Sequence, residues 1–156
     1  MAYYYQRPPS TVPAYVTAGL FIACSLLSFV LAALGWNGID NPHAIAAVIG
    51  MLYSGKVTGN VDFGISMTMT VACTTITFAL ILLARLSFAR WFLAALGGLV
   101  SAYYASAVVY IVVHGAISYV ALPLLALMLW AAATAMALLP LTMRAMRRRR
   151  PIQARR

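Results

Sequence analysis

The sequence predicts an all-α integral membrane protein: a bundle of four spanning helices with both termini cytoplasmic and a short extracytoplasmic interfacial helix. Three observations predict it. Hydrophobic residues make up 64% of the 156-residue chain and charged residues 8%, against roughly 45–50% and 25% in a soluble domain, so too little charge is present to clothe a water-facing surface. Four apolar stretches of 21–25 residues, at about 14–34, 63–84, 91–113 and 119–143, contain no charged side chain. Eleven basic residues stand against two acidic ones, and their distribution along the chain is one-sided.

The length of each stretch carries the assignment. About 20 apolar residues at a rise of 1.5 Å cross a hydrocarbon core of about 30 Å, and in lipid the backbone must satisfy its own hydrogen bonds, which makes these runs helices. With both termini inside, the cytoplasmic side holds Arg7, Arg85, Arg90, Arg144, Arg147 to Arg150, Arg155 and Arg156, ten of the eleven basic residues. Lys56, Asp40 and Asp62 fall outside. That bias predicts the orientation, and a plasma (inner) membrane location is expected. Trp36, Tyr53 and Tyr119 fall at the outer ends of the spans and Trp91 with Phe92 at an inner one, as aromatic belts do.

Taken in order, residues 1–13 form a Tyr- and Pro-rich cytoplasmic arm, too rich in proline for a helix. The first span exceeds the h-region of a signal peptide and is expected to be retained. In the outer loop, 35–62, Asp40 or Asn41 can cap a helix, Pro42 suits its first position and Gly55 lies beyond its end. The helix between them is apolar on nearly every side and needs cover, from the membrane interface, its own bundle or a partner docked on Ile45, Val48, Ile49 and Leu52. Residues 86–89 make a tight turn between the second and third spans, and 114–118 a short outer one. Pro123 is expected in the first two turns of the fourth span, where proline is tolerated. The tail, 144–156, carries Arg147, Arg148, Arg149 and Arg150, which predict contact with anionic lipids at the cytoplasmic leaflet. It lacks the aromatics that would specify nucleic acid, and none is expected as a partner.

Inside the spans the chemistry is sparse. No Asp, Glu, Lys, Arg or His lies within them, so the embedded carboxylate on which small four-helix multidrug exporters depend is missing. Cys24 and Cys73 are isolated and lack the C-x-x-C of quinone-linked thiol oxidases. His43 and His114 lie outside the membrane, too shallow for bis-histidine haem. No catalytic residue, cofactor or metal site is therefore expected. Packing features remain. Ser66, Thr70, Thr74 and Thr77 make a hydroxyl stripe on the second span, where hydroxyls bond their own i−4 carbonyl or a neighbouring helix, and Tyr103 on the third has this stripe as an acceptor. Ala94, Gly98, Ala102 and Ser106 recur every four residues, a small-residue ladder that favours close approach of another backbone. Trp130, near the centre of the fourth span, lacks an obvious partner for its indole N–H and predicts contact with another subunit or a lipid.

The Tyr- and Pro-rich start, Ala-rich spans and Arg-only tail resemble small four-helix membrane proteins of high-GC actinobacteria. Several of those are accessory subunits of Mce-type cell-envelope lipid importers or of respiratory supercomplexes. The resemblance is compositional, extends over the whole chain and transfers no functional residue. It implies a non-catalytic accessory subunit whose partners are other integral membrane subunits. The lipid-transport branch is favoured, because a respiratory role more often leaves a cofactor or quinone-site residue in the membrane. The competing expectation is a self-contained binder or transporter of an apolar molecule, its cavity lined by the hydroxyl stripe and Tyr103.

Overall fold

A computed structural model describes residues 12–36, 42–50, 61–84, 86–140 and 142. Helix α1 runs Val12–Trp36, α2 Pro42–Ala46, α3 Val61–Leu83, α4 Ser87–Val113 and α5 Ala121–Leu138, with a 3-10 turn at Ile117–Tyr119 before the last. No strand occurs among the described residues. The helices α1, α3, α4 and α5 are each long and apolar enough to cross a membrane. They make a multi-pass bundle in which α1 packs chiefly on α3 and α4 on α5, the two pairs joined through α1 with α5 and α3 with α4.

Alanines fill much of the interior around a few large side chains, Phe21, Tyr104 and Trp130 among them, and many large aliphatic residues face outward. Ala18, Ala32, Ala72, Ala79, Ala89, Ala107, Ala133 and Ala137 have no exposed surface, whereas Leu99, Val113, Ile117 and Met128 are largely exposed. Lipid tails are as apolar as leucine, so sorting by hydrophobicity gives way to close backbone approach. Inward hydroxyls are absorbed locally: Thr17, Ser25, Ser28, Thr75 and Thr134 each donate to the carbonyl four residues earlier at 2.7–2.9 Å.

Most span boundaries differ from the sequence expectation by one to five residues, and three of them matter here. Val12 and Pro13, expected in the arm, form the first turn of α1, where a proline has no helical N–H to withhold. Helix α4 starts at Ser87 rather than Trp91, so Arg90 lies in its first turn. The fourth span was expected to continue to Met143, but α5 stops at Leu138. Leu139 is extended (φ −58°, ψ 139°) because a residue preceding a proline, here Pro140, is driven out of helical backbone. Beyond it, Thr142 is buried and its hydroxyl donates to the Met136 carbonyl at 2.8 Å. Pro123 is the third residue of α5, within the first turn, where no i−4 bond is lost. Between α4 and α5, Gly115 (φ +72°) lets its own N–H reach the Val112 carbonyl at 3.1 Å and the Ala116 N–H reach Ile111 at 3.0 Å, a Schellman stop.

The two ends of the bundle differ. At one, the basic end, α1 begins, α3 turns into α4 and α5 finishes. At the other, the loop end, α2 leads inward rather than along a surface. After Ala46 the chain leaves the helix, and Ala47, Val48 and Ile49 are all buried before Gly50 (φ +96°) turns it. Ala47 packs with Leu31, Leu27 and Leu122, and Ile49 belongs to the main core with Phe21, Tyr104 and Trp130. Residues 47–49 of the apolar loop thus find their cover inside the bundle.

Candidate functional site

Three hydrogen bonds hold the inward segment. The phenol of Tyr104, fully buried on α4, donates to the Ala47 carbonyl at 2.9 Å. Its neighbour Tyr103 donates to the Val48 carbonyl at 3.0 Å, so its partner is the loop and not the hydroxyl stripe. The Ile49 N–H donates to Thr68 Oγ1 on α3 at 3.0 Å, and that hydroxyl donates onward to the Gly64 carbonyl at 2.8 Å. Tyr104 stands nine residues from the loop end of α4, about 14 Å down the helix. Irregular backbone survives at such depth only when protein satisfies its polar groups, and these three side chains do so. Val48 and Ile49 are therefore interior residues rather than a docking face. Ile45 is half-buried, and Leu52 lies outside the described residues.

The hydroxyl stripe faces largely away from the bundle interior. Ser66, Thr70 and Thr77 are exposed and Thr74 half-buried. Thr70 and Thr77 donate to their own i−4 carbonyls, Ser66 and Cys73, at 2.8 and 2.9 Å. The inward hydroxyls of α3 are Thr68 and Thr75, seven residues apart on the opposite face.

The small-residue ladder on α4 also faces largely outward. Ala94 is buried, but Gly98 is half-buried and Ala102 and Ser106 are exposed. A Cβ on Gly98 would meet nothing within 4 Å. The close approach in the bundle occurs one residue earlier: a Cβ on Gly97 would collide with Thr134 Oγ1 and stand 3.1 Å from the Phe21 ring. The ladder is thus not an internal packing face. Trp130 corrects another expectation, since it is 1% exposed and packs edge-on against Phe21 at 6.1 Å. It is a core residue, with almost no surface left for a lipid or another subunit.

Of the outer histidines, His43 rests against Tyr119, ring centroids 4.8 Å apart, and His114 stacks on Tyr110 at 4.0 Å. Cys24 is buried and Cys73 exposed, so the two thiols do not share an environment. Among the described residues no three His, Cys, Asp or Glu side chains gather as metal ligands. Asp40, Lys56, Arg85 and Arg147 to Arg150 lie outside the described residues.

Arg90 is a feature that counting charges does not reveal. It is 4% exposed, its Nη1 has no hydrogen-bond partner among the described residues, and its Cζ lies 4.9 Å from the Trp91 ring centroid. Tyr104 and Thr68 were likewise not singled out from the sequence; a signal for them was the need of the apolar loop 42–54 for internal polar anchors. Set against known protein families, curated proteins and solved structures, the chain matches none.

Proposed function

We propose that this protein is a non-catalytic accessory subunit of a larger integral membrane assembly, in the plasma (inner) membrane with both termini cytoplasmic. The observation that carries the reading is the outward ladder of α4. Gly98, Ala102 and Ser106 form a low, smooth strip on the outside of the bundle, with open space above Gly98. A smooth strip facing lipid gains nothing from being smooth, whereas one facing another subunit's helix permits close backbone contact. The positive-inside bias supports the orientation, and the Arg147 to Arg150 cluster suits anionic lipids of the cytoplasmic leaflet. The compositional resemblance favours a cell-envelope lipid transport system as the assembly, with a respiratory complex as the other branch.

The self-contained binder has lost its lining, because the hydroxyl stripe faces outward and Tyr103 is engaged with Val48. Native mass spectrometry of the tagged protein, gently solubilised from its own membrane, tests the reading. A heteromeric assembly of fixed stoichiometry is expected, and Gly98→Leu should release this subunit while leaving its own fold intact. A lone homo-oligomer, or an assembly indifferent to Gly98→Leu, would overturn it.

A further inference from the structure

The guanidinium of Arg90, whose buried Nη1 has no hydrogen-bond partner among the described residues, is costly where it lies, since a buried charge needs a counter-charge and hydrogen bonds to offset lost hydration. This sequence cannot supply a carboxylate side chain there. Its two acids are Asp40 and Asp62; Asp62 opens α3 at the loop end, the full helix of 23 residues, about 34 Å, from the α3–α4 turn. Asp40 stands two residues before the start of α2 in the sequence. The other charged residues on the Arg90 side of the spans are all arginines.

The surroundings of Arg90 suit an anion at the membrane surface. Helix α4 has no side-chain cap and no acidic residue in its first turn, so its N-terminal N–H groups and dipole favour an anion. Arg90 sits in that turn, and helical side chains lean toward the N-terminus, the end at which those N–H groups lie. The Trp91 ring covers one face of the guanidinium, while the N–H donors lie in its plane. The 27 residues of α4 extend about 40 Å against a hydrocarbon core of about 30 Å, which puts the first turn at headgroup depth. Exposed Phe88 and Trp91 flank it, as interfacial aromatics do.

The geometry points to a binding site for the phosphate of an anionic lipid, formed by Arg90 and the N-terminus of α4. The planar fork takes phosphate oxygens two at a time, and its methylene stem lets it move outward to meet the headgroup. This site rests on the membrane placement above but not on the accessory role, so either can fail without the other.

The test uses the full chain in detergent, with short-chain phosphatidylglycerol, short-chain phosphatidylcholine and inorganic phosphate as separate probes. One phosphatidylglycerol per chain is expected by native mass spectrometry, with a raised melting temperature that the other two probes do not reproduce. Arg90→Met should weaken that binding about tenfold or more. Without lipid, Arg90→Met should melt at or above the wild-type temperature, because it removes an unpaired charge; a guanidinium already paired within the chain would give a clear fall. Changing Arg147, Arg148, Arg149 and Arg150 together to Gln should remove salt-sensitive association and leave the stoichiometric lipid. Equal protection by inorganic phosphate would overturn the lipid as the source. Unchanged phosphatidylglycerol affinity in Arg90→Met would overturn the site. Loss of binding to every phosphate probe in the wild type would overturn it too, leaving a carboxylate of another subunit as the counter-ion.

Discussion

Helix α4 has two faces built from the same residue types and put to opposite uses. Gly97 faces inward beneath Phe21 and Thr134, while Gly98, one residue and 100° further round, has open space above it. Tyr104 is fully buried on the Ala47 carbonyl, while Tyr103 beside it is only partly buried on Val48. Helix α3 repeats the contrast, with Thr68 and Thr75 turned in and Thr70 and Thr77 turned out. In a membrane bundle, residue type alone therefore says little about a side chain's task. What decides it is whether a neighbouring backbone lies within reach.

The glycine pair gives the largest test of that contrast. Gly97→Leu forces a side chain into Thr134 Oγ1 and the Phe21 ring, and neither yields cheaply. The threonine hydroxyl is bonded to the Trp130 carbonyl at 2.8 Å and Phe21 is wedged against Trp130. Overpacking of this kind costs about 3 kcal/mol or more, so thermal unfolding in detergent should show a large fall or no folded protein. Gly98→Leu should shift the same transition by less than about 1 kcal/mol, since leucine is the better helix former and meets open space. Equal losses at the two positions would break the distinction between the faces.

The tyrosine pair comes next. Tyr104→Phe leaves the Ala47 carbonyl without its phenol donor at a buried site, which costs about 1–3 kcal/mol. Tyr103→Phe acts on a partly buried bond, with an expected cost of about 0.5–1.5 kcal/mol. Amide exchange at residues 47–50 offers the sharper readout, because loss of either anchor should speed exchange there before it affects α5. If neither variant alters exchange in that segment, apolar packing and the Thr68 bond hold it without the tyrosines.

What the sequence makes legible follows from where its information lies. The spans are readable because each is an uninterrupted apolar run whose length matches the bilayer. Pro140 was readable too, yet the apolar run through it led to a helix drawn past its true end. The faces are not readable, because a helix apolar on every side has no stripe to distinguish core from lipid, so the regular Gly98 ladder outweighed the lone Gly97. The tyrosine anchors were hidden for another reason. They join residues 55 and 57 apart in the chain, and no local periodicity encodes such a pairing. Charge counting used Arg90 for orientation, which is blind to its burial.

The threonine pair gives the smallest effect and isolates a single hydrogen bond. Thr68 and Thr70 both donate to the carbonyl four residues earlier at 2.8 Å, so replacing either with valine removes the same local bond. Only Thr68 also accepts the Ile49 N–H. Valine nearly preserves shape but strands that buried donor, for an expected loss of about 1–2 kcal/mol. At Thr70 the hydroxyl serves only its own helix, and back-bonding of that kind slightly weakens a helix. Thr70→Val should accordingly be neutral or stabilising by a few tenths of a kcal/mol. The difference between the two variants measures the third anchor of the loop segment with helix propensity and local bonding cancelled, and a difference near zero would mean that the Ile49 N–H needs no partner from α3.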